Sequence, residues 1–287
     1  MTGKTAVITG GNTGLGLKTA LELSRRGADV VIGSRSVENG EAAVAAIKAE
    51  VPSAKASHLP LELTDPLSIE AFASAFANAH GRLDILLNNA GVVIHPTHVL
   101  TQTGRELQMQ VNHLGHFHLT CLLMPLITKT RAARIVQSTT VPYQKGDINL
   151  DDLDWRDRKY NAMQAYFDSR LAQLLFACRL NNLFEQGEMD AIAISMQPGL
   201  VATEGLQNSE FGGWIMKAIA QPLAKGCRTH LRTCTDPSLT SGKFWEPRFK
   251  LFGNPTPKAL KPEALDQSMA RDLITKSQEL TGCELNL

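Results

Sequence analysis

The run Ala6-Val7-Ile8-Thr9-Gly10-Gly11-Asn12-Thr13-Gly14-Leu15-Gly16 sets a short β-branched strand against a glycine-rich turn, and a segment of helical period follows it. Glycines at such a turn let the backbone approach a pyrophosphate, and the amides and dipole of the following helix favour its charge. Any tight strand-to-helix connection can use glycine. The placement after the first strand, rather than the glycines themselves, makes this a candidate dinucleotide turn.

Working outward, short apolar runs alternate with helical segments, the pattern of βαβ units and a parallel sheet. Strands are expected at 6–9, 28–33, 58–63, 84–87, 134–138, 190–195 and 242–245. Helices are expected at 14–26, from Ser36 as N-cap to residue 50, after Pro66, and at 103–127, 159–186 and 262–280. The expected fold is α/β, a single doubly wound Rossmann-type parallel sheet flanked by helices in one domain over 1–287. The stretch 204–226 breaks the alternation; its Phe211-Gly212-Gly213-Trp214-Ile215-Met216 suggests a lid or substrate wall.

The chain has 287 residues, 43% hydrophobic and 20% charged, enough apolar material for a large core. Its 29 basic and 28 acidic residues leave a net charge of +1, which argues against nucleic acid as a partner. Five cysteines (Cys121, Cys178, Cys227, Cys234 and Cys283) form no C-x-x-C pair, so a reducing, cytoplasmic setting is expected. Cys227 and Cys234 are expected to pack on a helix. No apolar run reaches the roughly 20 residues of a membrane span.

The second strand ends Val31-Ile32-Gly33-Ser34-Arg35, without the acid that usually meets the ribose 2′-hydroxyl of NAD. Arg35 would instead meet a 2′-phosphate, so NADP(H) is the expected cofactor. Asn88-Asn89-Ala90-Gly91 follows the fourth strand and suits a floor beneath a nucleotide. Tyr166 and Arg170, four apart on a helix, share a face. A cation beside a phenol favours the phenolate, as a general acid/base near neutral pH requires.

With these motifs in hand, the chain resembles the short-chain dehydrogenase/reductase superfamily, most closely its retinol-dehydrogenase-like branch. The resemblance rests on TGGNTGLG at 9–16, NNAG at 88–91, VNHLGHF at 111–117, RIVQSTT at 134–140, YFDSRLA at 166–172 and PGLVAT at 198–203. It implies a turn of Gly10, Asn12, Thr13, Gly14, Leu15 and Gly16 around the pyrophosphate, with Glu62 and Leu63 near the adenine. It further implies Asn88, Ala90 and Gly91 beneath the nucleotide, with Asn88 also steadying the sheet. Pro198, Gly199, Val201 and Thr203 would hold the nicotinamide. Tyr166 would be the catalytic acid/base and Asn112 the holder of a relay water. Pairing of the two long helices between protomers, as a homodimer or homotetramer, is implied too.

Two positions depart from the pattern. Thr140 replaces the catalytic serine, keeping a hydroxyl but adding a methyl. Arg170 replaces the lysine, keeping a positive charge but bringing a wide planar fork. His113, His116 and His118 on one helix are expected in packing and hydrogen-bonding roles, with no metal; His95 and His98 are expected at the site's rim. The expected function is NADP(H)-dependent hydride transfer to or from a carbonyl or alcohol of an apolar small molecule, retinoid-, steroid- or aldehyde-like. The alternative is a nucleotide-binding regulator or non-redox enzyme that has lost the standard site.

Overall fold

The computed structural model describes residues 1–202 and 220–286. Eight strands form one sheet in the order β3-β2-β1-β4-β5-β6-β7-β8. They are β1 (Thr5–Thr9), β2 (Asp29–Ser34), β3 (Lys55–Pro60), β4 (Ile85–Asn88), β5 (Ala133–Ser138), β6 (Ala191–Met196), β7 (Lys243–Pro247) and β8 (Pro255–Ala259). All neighbours pair parallel except β7 and β8. The chain order reverses direction at β1, which lies between β2 and β4, and in such sheets ligands bind in the crevice at the strand ends there.

Alternation along each strand divides the core. Ala6, Ile8, Val30, Ile32, Ile85 and Leu87 face the layer of α1 (Gly14–Arg25) and α2 (Val37–Glu50). Val7, Val31 and Leu86 face α3 (Pro66–Ala79), α5 (Gly115–Lys129) and α6 (Ala162–Gln186). Because both faces are covered, the strands are apolar on both sides, and β1 is buried throughout. Ser36 caps α2 by accepting from the Asn39 amide at 3.1 Å, as expected.

Three segments differ from the expected elements. β3 ends at Pro60, and Leu61 and Leu63, whose spacing suggested a strand, leave the sheet and bury beneath α3. The helix expected from residue 103 begins only at α4 (Leu107–Met109), where the Glu106 carboxylate accepts from the Met109 amide at 2.7 Å. It then widens into a π-helical turn at Gln110–Leu114 before continuing as α5. β8 lay outside the expected strands because Pro255 and Pro257 argue against one; at an antiparallel edge their missing N–H groups do little harm.

A helix not foreseen in full, α7 (Leu223–Thr235), packs against α1 and carries the buried Cys227 and Cys234. It takes in the last residues of the expected lid; residues 203–219, with most of that lid and Thr203, lie outside the described residues. α8 (Gln267–Thr281) lies along α6, so the chain itself covers part of that long helix. No helix among the described residues is long and apolar enough to cross a membrane.

On α6, Asp168 is buried and accepts from the Asp147 amide at 2.8 Å and the Gln164 side chain at 2.7 Å. Burial pushes its carboxyl up to about 6. The folded chain therefore binds this proton more tightly than the unfolded chain does, and the group's contribution to stability falls as pH rises from about 4 to 6. Asp168→Asn should be more stable than the parent at pH 7.5, by about 3 kcal/mol at most, with the difference vanishing near pH 4. Urea unfolding across that range is the measurement. Parallel curves for the two proteins would refute the assignment.

Candidate active site

The turn between β1 and α1 is a cradle that side chains would fill. Gly10 (φ +63°) and Gly14 (φ +56°) take left-handed conformations. A Cβ on Gly16 would stand 2.3 Å from the Gly10 carbonyl oxygen and 2.7 Å from Asn89 Nδ2, so glycine is required. Thr13 caps α1 without a side-chain bond, leaving the helix's first amides directed at the turn. Asn12 and Thr13 lie at the open rim. The residues present thus fit a pyrophosphate.

The Asn88–Gly91 stretch is stitched to the end of β1. Asn89 donates through Nδ2 to Thr9 O at 2.9 Å, and the Asn89 and Ala90 amides donate to the Thr9 hydroxyl at 2.9 and 3.0 Å. That hydroxyl in turn meets His116 Nε2 at 2.9 Å, while His116 Nδ1 meets Asn112 O at 3.1 Å. Burial lowers the His116 pKa to about 4 and so keeps the ring neutral. The network is satisfied when Nδ1 carries the proton. Asn88, expected beneath the nucleotide and as a support of the sheet, has its side chain fully buried against Thr120 of α5, at 3.4 Å. Leu63 is likewise a core residue, its carbonyl accepting from Gln110 Nε2 at 2.8 Å.

Tyr166, Ser169, Arg170 and Gln173 form one face of α6. The Thr139 hydroxyl donates to Arg170 O at 3.0 Å, and Arg170 Nη1 donates to Ser138 O at 3.1 Å and to Gln173 Oε1 at 2.7 Å. The end of β5, where Thr140 stands, is therefore bolted to α6. Arg170 is 5% exposed, its Cζ lies 5.1 Å from the Tyr166 ring centroid, and its Nε has no hydrogen-bond partner. No carboxylate among the described residues pairs with it. A buried cation without a carboxylate partner is costly unless its donors find oxygens, and here Ser138 O and Gln173 Oε1 supply two. A Cβ on Gly91 would lie 2.5 Å from Arg170 Nη2 and 3.0 Å from Asn112 Oδ1, so a side chain there would displace the guanidinium.

Asn112 sits in the π-helical turn, where π-bulges often re-aim functional side chains. Its Nδ2 donates to Val92 O at 3.1 Å and to Ser169 Oγ at 2.9 Å, and its Oδ1 accepts from the Val92 amide at 2.8 Å. Both amide hydrogens are engaged, so Asn112 clamps the loop after Gly91 onto α6. Gln173 and Ser169 were not foreseen. Their spacing of three from Arg170 and Tyr166 was the available signal.

Pro198 O accepts from Gln221 Nε2 at 2.9 Å, and Val201 bridges Gln221 as a short parallel pair. Gly199 (φ +84°) lets the loop pass Leu251 O, which a Cβ would meet at 2.4 Å. At the far end of the crevice Arg35 is 81% exposed, and its Nε lies 3.8 Å from Glu62 Oε2. The loop after β3 thus delivers the acid that the second strand lacks. Glu62 also accepts from the Thr64 amide and hydroxyl at 2.9 and 2.8 Å.

The histidines are placed in hydrogen bonds: His113 Nε2 meets Ser277 Oγ of α8 at 2.8 Å, and His98 Nε2 meets Asp154 O at 2.8 Å while stacking on Tyr160. Beneath the rim, Tyr160 donates to the buried Glu106 carboxylate at 3.0 Å and accepts from Gln108 at 2.9 Å, a network unforeseen in sequence. Among the described residues no group of three His, Cys, Asp or Glu could hold a metal.

Residues 4–149 match the short chain dehydrogenase family. Retinol dehydrogenase 13 of Homo sapiens is 36% identical over 98% of this chain and 86% of its own length. Retinol dehydrogenase 12 of Mus musculus is 41% identical over 98% and 87%. The chain belongs to the short-chain dehydrogenase family. The crystal structure of an uncharacterized protein from Mycobacterium paratuberculosis is similar over 100% of this chain and 96% of its own, with 34% identity and a TM-score of 0.83. A short chain dehydrogenase from Shigella flexneri 2a, complexed with NADP, shares the fold at a TM-score of 0.67 with 22% identity, over 83% and 93% of the two chains.

Proposed function

We propose that this family member is an NADP(H)-dependent oxidoreductase acting on the carbonyl or alcohol group of an apolar substrate. The observation that carries the proposal is the buried Arg170 guanidinium, its Cζ 5.1 Å from the Tyr166 ring centroid and without a carboxylate partner among the described residues. When bound, a nicotinamide cofactor supplies or accepts the hydride. Tyr166 gives its phenolic proton to the substrate oxygen in reduction and takes the alcohol proton in oxidation. The Thr140 hydroxyl donates to the same oxygen. The Arg170 guanidinium, on the same face of α6 as Tyr166, would hold the nicotinamide ribose. Gly10, Gly14, Gly16 and the α1 amides would hold the pyrophosphate, and Pro198, Gly199, Val201 and Thr203 the nicotinamide. The names of the mammalian relatives bring retinoids forward as the first substrates to try. The reading extends to one domain with a lid around 204–226 and a cytoplasmic setting. It also includes a homodimer or homotetramer through the long helices, with α8 limiting the face of α6 open to it.

NADPH should bind more tightly than NADH, toward the low end of about 1–3 kcal/mol, because Glu62 competes for Arg35. Glu62→Gln should release that competition and tighten NADPH by up to about fivefold, without tightening NADH. Fluorescence titration with both cofactors checks both statements; tighter NADH binding by the parent would overturn the cofactor assignment. NADPH consumption on a panel of apolar aldehydes and ketones, retinal included, tests the reaction. The engagement of Arg170 by Ser138 and Gln173 favours one rival, a nucleotide-binding regulator. Tight NADPH binding with no turnover of any panel member would select it.

A further inference from the structure

Ser34 closes β2, the strand end where an NAD site carries an acid for the ribose 2′-hydroxyl. It is buried, and His58 of β3, paired with Ile32, projects from the same face of the sheet. His58 Nε2 lies 3.2 Å from Ser34 O and 3.0 Å from Ser34 Oγ. A carbonyl oxygen can only accept, so Nε2 carries the hydrogen and donates to both oxygens of Ser34. The Ser34 hydroxyl is thereby held as an acceptor on its His58 side. Its own hydrogen turns away from the ring, to Ser36 O at 3.4 Å. That bond is the longest of the set, and the one a phosphate oxygen would displace most readily.

The neighbouring helix leaves room for the ring. Gly40 lies inside α2, where glycine weakens a helix relative to alanine. A Cβ there would stand 2.1 Å from His58 Cδ2 and 2.3 Å from Nε2, so the imidazole rests directly on the bare Cα. The donor nitrogen is thus fixed between Gly40 and Ser34. His58 also lines an open groove of about 310 Å³ with Glu41, Val44, Ala45 and Lys48, into which the ring can swing if the Gly40 side is filled.

We propose that His58 is a positioning residue for cofactor choice, setting the Ser34 hydroxyl to donate to the 2′-phosphate of NADP(H). The inference rests on the NADP(H) reading above and deepens it. Arg35, 81% exposed and 3.8 Å from Glu62, brings charge on a side chain free to move. Ser34, buried and pinned by the imidazole, brings a donor whose direction is already fixed. Binding then freezes one side chain fewer, and an unphosphorylated ribose gains nothing from the arrangement. His58 itself touches no cofactor atom; it acts through Ser34.

The test titrates the full chain with adenosine 2′,5′-bisphosphate and with adenosine 5′-monophosphate, which differ only in the 2′-phosphate. His58→Leu should lower the parent's preference for the bisphosphate by about three- to tenfold, with the monophosphate affinity unchanged. Gly40→Ala, which displaces the ring and removes no polar group, should lower it likewise. His58→Gln, which keeps an N–H donor at similar reach, should retain it. With Ser34→Ala already in place, His58→Leu should cost nothing further. A parent that prefers the bisphosphate, with His58→Leu and Gly40→Ala keeping that preference, would overturn this inference alone. A parent that binds both nucleotides alike would overturn the cofactor reading together with it.

Discussion

Tyr166→Phe should lower turnover by roughly two to four orders of magnitude while leaving cofactor affinity almost unchanged, the range expected when a positioned acid is removed. The variant keeps the ring that faces the Arg170 guanidinium, whose Cζ lies 5.1 Å from its centroid, so the packing of α6 is retained. Tyr166 is 8% exposed, and phenylalanine fits the same space. Only the dissociable proton is lost. Single-turnover NADPH oxidation, with affinity measured separately by fluorescence, distinguishes lost chemistry from lost binding. A variant that keeps most of its turnover would show that another group moves the proton.

Arg170→Lys should lower kcat by about tenfold to a hundredfold rather than restore a more usual site. The guanidinium reaches Ser138 O and Gln173 Oε1 together, at 3.1 and 2.7 Å, and packs against the bare Cα of Gly91. Both bonds come from Nη1, which stands one bond farther out than a lysine Nζ, so lysine would fall short of one or both acceptors and leave a buried carbonyl or amide oxygen unpaired. The site is therefore adapted to arginine over several residues. Recovery should need Thr140→Ser in the same protein, and Gln173→Leu should cost little once Arg170 is already lysine. Such non-additivity is the mark of residues that touch. A lysine variant faster than the parent would show that Arg170 is a relic, and additive effects with Gln173 would break the proposed clamp.

The order of strands and helices was legible because burial on both faces makes each strand apolar and each helix amphipathic, signals that lie within a few residues of one another. The glycine turn after β1 and the Tyr166/Arg170 spacing belong to the same class. Local turns follow the chain less faithfully. Leu61 and Leu63 have strand spacing yet drop into the core, and the π-helical turn at Gln110–Leu114 interrupts a segment whose periodicity reads as one helix. A single added residue in a helix leaves no strong mark on apolar spacing.

By itself the sequence determined the α/β alternation, the glycine turn after β1 and the shared face of Tyr166 and Arg170, because each depends on residues close along the chain. The tertiary structure decided everything that depends on contacts between distant segments. It set Glu62 against Arg35, with the 2′-phosphate choice hanging on it, and it locked Arg170 between the end of β5 and Gln173. It turned Asn112 into a clamp between the Val92 loop and α6. No spacing rule connects such partners, since the sheet and the packing of helices on it, rather than the covalent chain, hold them side by side.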